Sequence, residues 1–436
     1  MDSFVVNNQY EKRVCIIGFG VSGIAACRWA LHYGFTPMVY DINESFGGIW
    51  LTHNYPGCKL QTNRWSYCFS DEPMPSSYPL YPTGQNVYDY LSSYVSKHNL
   101  LQYVQFNTEV LSISQQTDQM WHIISKRDNT INLYKTPYVI IAGGFYGNKK
   151  ERIKGSFIPS DFSRNRINTA EFFKNKNVAV VGIGPSGCDL ACTAVQNNAA
   201  NVSILYRSSR WIFTRYLWGY SLHFFTWRIF LFLGNIFPRS IFRIMLMLLY
   251  MIPIFSLESG QIEFPLEKAC RKNITLNDHI YTYKSQGKLK IIKDPETLKT
   301  LNFEKYKPDI IIDATGYPSG ISLLGYNDEI PKLYKNIIVP GINTLGCIGY
   351  VASFNWIQTS DLQARWLFNV FLNKIHLPAT TIEQYQWIGA VRREDYHDLA
   401  YEIYDYCEML YKDMPYKKHI ASWRDWITTP EHDRWV

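Results

Sequence analysis

The 436-residue chain has no CxxC pair, no HExxH or HxH element, no block of like charges and no apolar run long enough to cross a bilayer. Each absence removes a class of function. Nine cysteines (Cys15, Cys27, Cys58, Cys68, Cys188, Cys192, Cys270, Cys347 and Cys407) are scattered along the chain. That usage suits reduced thiols in a cytosolic compartment and argues against a disulfide framework, a zinc ribbon or a redox-active dithiol. The ten histidines occur singly, so they read as surface or core residues rather than metal ligands. A net charge of +7 spread over the chain reads as a solvated surface and not as a nucleic-acid interface. The first 13 residues are polar and lead straight into an apolar run, which is not the pattern of a signal peptide. What remains is a globular chain, 47% hydrophobic, with length for two to three domains.

The stretch from Arg13 to Trp50 organises the rest. The run Val14-Cys15-Ile16-Ile17 meets Gly18-Phe19-Gly20-Val21-Ser22-Gly23, continues as a helix-compatible segment through Tyr33 and stops at Gly34. A second apolar run, Met38-Val39-Tyr40, ends in Asp41, 18 residues after Gly23. Strand, glycine turn, helix and an acid at that distance form a dinucleotide fingerprint. Gly18, Gly20 and Gly23 let the backbone approach a pyrophosphate at a helix N-terminus, and Asp41 can accept hydrogen bonds from a ribose. The loop Gly47-Gly48-Ile49-Trp50 follows, with paired glycines for close approach and a flat apolar wall. Residues 59–75 are too polar for a core strand and too aromatic for a linker, as expected of an ordered loop near a ligand.

A second copy of the motif lies further on. Val178-Ala179-Val180-Val181 leads into Gly182-Ile183-Gly184-Pro185-Ser186-Gly187, a helix-compatible stretch to about Gln196, and the strand Val202 to Tyr206. Here the acid is missing, and Arg207-Ser208-Ser209-Arg210 stands in its place. An acid would repel a 2′-phosphate; arginine pairs with it in a charge-assisted bond worth on the order of 1.5 to 3 kcal/mol. The first cradle is therefore expected to hold a nucleotide with a free 2′-hydroxyl and the second NADPH, with Gly182, Gly184, Ser186, Gly187, Arg207 and Ser208 as its residues.

Between Trp211 and Phe255 the chain is at its most hydrophobic, with arginines interrupting every run before the roughly 18 to 20 residues that a span requires. It reads as a helical pair that roofs a cavity or lies in a membrane interface, or as an insert packed on its own domain. Asp309 to Tyr317 reads as a strand ending in a glycine turn where the chain returns to the first domain. Ser360 is a candidate N-cap for a helix running through Trp366. The aromatic tail from Gln384 reads as helical and surface-packed, without chemistry of its own.

Together these pieces resemble the flavin-containing monooxygenases. The resemblance runs in order through both glycine motifs, Gly47-Gly48-Ile49-Trp50, the 59–75 segment, Ala314-Thr315-Gly316 and Asp361-Leu362-Gln363-Ala364-Arg365-Trp366. Leu60-Gln61-Thr62 and Phe69-Ser70-Asp71 are similar to the plant and fungal branch. The family's fingerprint FxGxxxHxxxY/F falls on Phe162 to Phe172, with Arg164 at the glycine position and Asn168 at the histidine position. The resemblance implies an α/β fold with two Rossmann-like dinucleotide-binding domains: an FAD domain from residues 1–164 and 303–436, and an NADPH domain inserted at 165–302. It implies FAD held by the first glycine motif, Asp41, Gly48, Ile49, Trp50, Thr62, Asn63, Thr315, Gly316 and Gln363, with Asn63 supporting the oxygenated flavin. NADPH and molecular oxygen then serve N- or S-oxygenation of a small nucleophile. Ketone oxygenation, uncoupled NADPH oxidation and a non-catalytic, membrane-peripheral flavoprotein are the competing readings.

Overall fold

The computed structural model describes residues 12–146, 152–208, 210, 212–217, 219–221, 275–326, 333–351, 353, 355–377, 406, 407 and 409–415. Most of the apolar insert at 211–256, from 222 onward, and most of the tail from 384 lie outside them.

The first unit starts with β1 (Arg13–Ile17), α1 (Val21–His32) and β2 (Thr36–Tyr40), followed by the short α2 (Ile49–Thr52), α3 (Gly84–Lys97) and β3 (Val104–Gln105). A polar antiparallel meander, β4 (Glu109–Gln115), β5 (Trp121–Arg127) and β6 (Thr130–Thr136), precedes β7 (Tyr138–Ile141). The second unit opens with α4 (Pro159–Arg164) and α5 (Thr169–Phe173), then runs β8 (Asn177–Val181), α6 (Pro185–Gln196) and β9 (Asn201–Tyr206). Two-residue strands β10 (Ile212–Phe213), β11 (Tyr216–Leu217), β12 (Tyr220–Ser221) and β13 (Thr275–Leu276) lead to α7 (Ile280–Ser285), β14 (Lys290–Lys293), α8 (Pro295–Thr300) and β15 (Ile310–Asp313). β16 (Leu345–Cys347) and the long helix α9 (Trp356–Phe371) follow.

Two parallel sheets carry the architecture. One has the order β16-β7-β1-β2-β3 and the other β14-β9-β8-β15. Their strands read as continuous apolar runs because both faces are covered: β1 and β8 each bury every residue after the first. In the first unit, α1 and α9 cover one face, while Trp121 and Ile123 of the meander pack on the other. Residues 357 and 359–371 of α9 are all buried, so this helix is enclosed on every side rather than striped.

Three expectations are corrected. The strand at Ile310–Asp313 does not return to the first domain; it pairs with β8 and completes the second sheet. Both sheets offer the same docking edge, a buried strand beside a glycine turn, and periodicity does not distinguish them. Ser360 does not cap a helix. α9 begins a turn earlier, after Asn355, and Ser360 is buried within it, 2.9 Å from the Ser22 hydroxyl. The described part of the tail is not surface-packed, since Tyr406, Leu410, Tyr411 and Met414 join the first core.

Candidate functional site

β1 and β8 deliver the chain into two turns of the same construction. Gly18 has φ +99°, and a Cβ there would stand 2.5 Å from the Ala142 carbonyl oxygen; Gly182 has φ +110°, with the Ala314 oxygen 2.6 Å from the same point. Only glycine fits such a left-handed turn against a neighbouring backbone. The helices that follow, α1 and α6, start at Gly20 and Gly184 with no side-chain cap. Their leading N–H groups therefore lie at the positive end of the macrodipole with no side chain competing for them, which is a cradle for a pyrophosphate. Ser22 and Ser186 hold equivalent places in the two first turns.

Asp41 and Gly48 meet the first cradle directly. Asp41, at the end of β2, is buried and accepts from Phe19 N at 2.5 Å, Asn43 N at 2.8 Å and Asn43 Nδ2 at 2.9 Å. Those bonds fix the carboxylate and leave an Oδ2 lone pair for a ribose hydroxyl. Gly48 rests on Gly20, with its Cβ position 3.0 Å from Gly20 Cα. The Gly47–Trp50 loop is thereby closed over the turn, and Ile49 and Trp50 open α2, with Trp50 buried edge-on to Tyr67. Half-buried Thr62 precedes Asn63, which is 2% exposed. The Asn63 carboxamide oxygen accepts from Trp65 N, Ser66 N and Ser66 Oγ at 2.9 to 3.0 Å. Its orientation is thus set by its own loop, and its Nδ2 hydrogens are the donors left for a ligand.

Three further placements stand out. Thr315 and Gly316 follow β15, and the Thr315 N is 3.3 Å from the Gly182 Cβ position, so this turn walls the second cradle rather than the first. Gln363 is fully buried, with both ends of its amide taken by protein groups, Gly349 N and Tyr406 Oη. In the second unit Arg207 and Ser208 leave β9 exposed, while Arg210, outside the expected set, places Nη1 4.0 Å from the Gly184 Cβ position. Its signal was the doubled arginine of the Arg207 to Arg210 run.

The loop leading to Asn63 is held by the second unit, which no motif announced. The Gln61 carboxamide bonds both backbone groups of Leu276, accepting from N at 2.6 Å and donating to O at 3.3 Å. Arg215, itself paired with Asp278 at 3.0 Å, donates Nε to Leu60 O at 3.2 Å. Tyr55 Oη and Asn277 Nδ2 donate to Asp189 of α6 at 3.3 and 2.9 Å. Burial pushes the Asp189 carboxyl up from 3.8 to about 7, against the pull of nearby Arg215. Between those values the native chain holds a proton that the unfolded chain has lost. Stability therefore falls as pH rises from about 4 to 7, by roughly 4 kcal/mol. Asp189→Asn, which keeps an acceptor for Asn277, should flatten this slope and raise the melting midpoint at pH 8; parallel melting curves for both proteins across pH 5 to 8 would remove burial of Asp189 as the cause.

The signature residues beyond the cradles are structural. Asp361 is buried and accepts from Trp29 Nε1 at 2.5 Å and Ser70 Oγ at 2.6 Å, joining α9, α1 and the 59–75 loop. Arg365 lies over the Trp29 ring at 4.8 Å. At the altered fingerprint, Asn168 caps α5 by accepting from Ala170 N at 3.2 Å, and Arg164 is exposed. Among the described residues no cluster of metal-ligating side chains occurs and no helix is long and apolar enough to cross a membrane.

A model of flavin-binding monooxygenase-like proteins matches residues 11–403. The chain belongs to that family. Flavin-containing monooxygenase 3 of Canis lupus familiaris is 31% identical over 409 residues, covering 85% of this chain and 75% of its own. The N-oxide-forming dimethylaniline monooxygenase 2 of Macaca mulatta is 27% identical over 467 residues, covering 92% and 85%. In fold the chain is similar to an oxidized steroid monooxygenase bound to NADP, with a TM-score of 0.69 at 13% identity over 92% of this chain and 97% of that one. This family member is an FAD- and NADPH-dependent monooxygenase with molecular oxygen as co-substrate. The cradles fit those groups: two uncapped helix N-termini behind glycine turns, one beside a buried acid and the other beside arginines. Bound FAD supplies the electron transfer and oxygen chemistry, while the chain binds, orients and excludes water.

Proposed function

We propose that the protein oxygenates nitrogen or sulfur in a small soft nucleophile. The observation that carries this reading is Asn63, a buried neutral carboxamide whose oxygen is held by its own loop and whose Nδ2 hydrogens remain as donors. Attack by a soft nucleophile on an oxygenated flavin needs an oriented donor and a dry pocket, and no general base. Support comes also from the N-oxide-forming relative. The test is substrate-stimulated NADPH consumption across tertiary amines, thiols, thioethers and cyclic ketones, with products identified by mass. An N-oxide or sulfoxide formed in step with NADPH supports the reading. Ester from ketone, or hydrogen peroxide with no oxygenated product from any compound, would replace it.

A further inference from the structure

Gln363 sits in the middle of a buried polar chain that ends in the last described segment of the protein. Gly349 N donates to Gln363 Oε1 at 2.9 Å, Gln363 Nε2 donates to Tyr406 Oη at 2.7 Å, and Tyr406 Oη donates to Lys335 O at 2.8 Å. The tyrosine hydroxyl both accepts and donates, which fixes the direction of every bond in the chain. Were the Gln363 amide to turn over, its NH2 group would meet the Gly349 N–H, donor against donor. Tyr406 therefore decides which end of Gln363 faces Gly349.

Gly349 matters because of where it stands. It follows β16 at the carboxyl edge of the first sheet with φ +86°, and a Cβ there would overlap the Ser22 hydroxyl. Ser22 is the second residue of α1, whose uncapped start forms the first cradle, and it is tied to Ser360 of α9 at 2.9 Å. The segment carrying Tyr406 is anchored independently: Asp413 pairs with Lys335 and accepts from Trp366 Nε1 at 2.9 Å, and Leu410 and Met414 are buried.

We propose that segment 406–414 is a latch on the flavin cradle, with Tyr406 and Gln363 as positioning residues that hold the Gly349 wall against α1. The proposal rests on FAD occupying the first cradle. With the latch seated, Gly349 N is satisfied and its turn is fixed; with the tyrosine hydroxyl removed, a buried amide loses its partner and is free to leave Gly349.

The experiment titrates FAD into deflavinated full-length protein and follows quenching of flavin fluorescence. Tyr406→Phe keeps the ring and its packing, and should raise the Kd for FAD about tenfold while moving the melting midpoint of the flavin-free protein little. Hydrogen exchange of the wild-type protein supplies a reading that needs no variant. Because coupling is reciprocal, FAD should slow exchange across 406–414. Unchanged FAD affinity in a folded Tyr406→Phe protein, or, where that variant does not fold, exchange in 406–414 indifferent to FAD, overturns the latch. Wild-type protein that fails to quench flavin at all would instead reject the cradle assignment.

Discussion

Gly187→Ala should give a yellow protein that NADPH no longer bleaches under anaerobic conditions. Gly187 is the third residue of α6, and a Cβ there would overlap the carbonyl oxygen of Gly182. Backbone is the obstacle, so no rotamer relieves it. The helix must move off its glycine turn, carrying the N–H groups of the second cradle away from the pyrophosphate. The expected loss is at least about 100-fold in NADPH affinity, or roughly 2.7 kcal/mol. FAD should stay, because the first cradle is built from a different sheet. Gly23→Ala repeats the same clash against Gly18 O in the first unit, and there the colour itself should be lost. Arg207→Ala is the milder companion. It removes one charged partner of the 2′-phosphate and should raise KM for NADPH about tenfold with NADH nearly unaffected. Flavin content and stopped-flow bleaching decide all three; a Gly187→Ala protein bleached at the wild-type rate would refute the second cradle.

Asn63→Asp should consume NADPH while releasing most of its reducing equivalents as hydrogen peroxide. The substitution separates two jobs of one side chain. An aspartate oxygen still accepts from Trp65 N, Ser66 N and Ser66 Oγ, the three bonds that hold the loop. What it lacks is the NH2 donor, replaced by an anionic oxygen where negative charge must be accommodated. Product formed per NADPH should fall about 100-fold, in line with the loss of one preorganised donor. The melting midpoint should hold, as it would not for Asn63→Ala, which also strips the loop of its acceptor. Peroxide yield equal to wild type in a folded Asn63→Asp protein would leave Asn63 as a loop staple only.

The parts legible in the sequence were those written in local terms. Gly18 and Gly182 are dictated by a turn and the backbone beside it, and strand, turn and helix followed within a few residues of their expected bounds. Asp41 was found because its distance along the chain from a glycine motif reflects a distance in space, while Asn63 was named only through the family resemblance. Residues whose partners are remote left no such mark. Thr315 reads identically whether its strand joins one sheet or the other, and only the pairing of Ile310 with Val178 decides. Gln61 looks like a loop amide until Leu276, 215 positions away, is seen to use both its ends. Ser360 looks like a helix cap because a hydroxyl buried inside a helix needs a partner that no local pattern names. The meander at 109–136 was missed for a simpler reason: its strands are largely exposed and polar, so they carry little of the apolar alternation by which strands are recognised.

The enclosure of α9 bears on how the molecule is made. The first sheet draws β1 from the start of the chain and β16 from beyond residue 340, and α9 is covered partly by residues past 405. During synthesis at the ribosome the nested second sheet has all its strands once residue 313 has emerged, well before its host can close. The host unit must wait, with the apolar faces of α1 and β1 unsheltered, until the residues past 405 are out. Chains cut before residue 406 should therefore be recognised by chaperones and proteases even though every nucleotide-binding glycine is present.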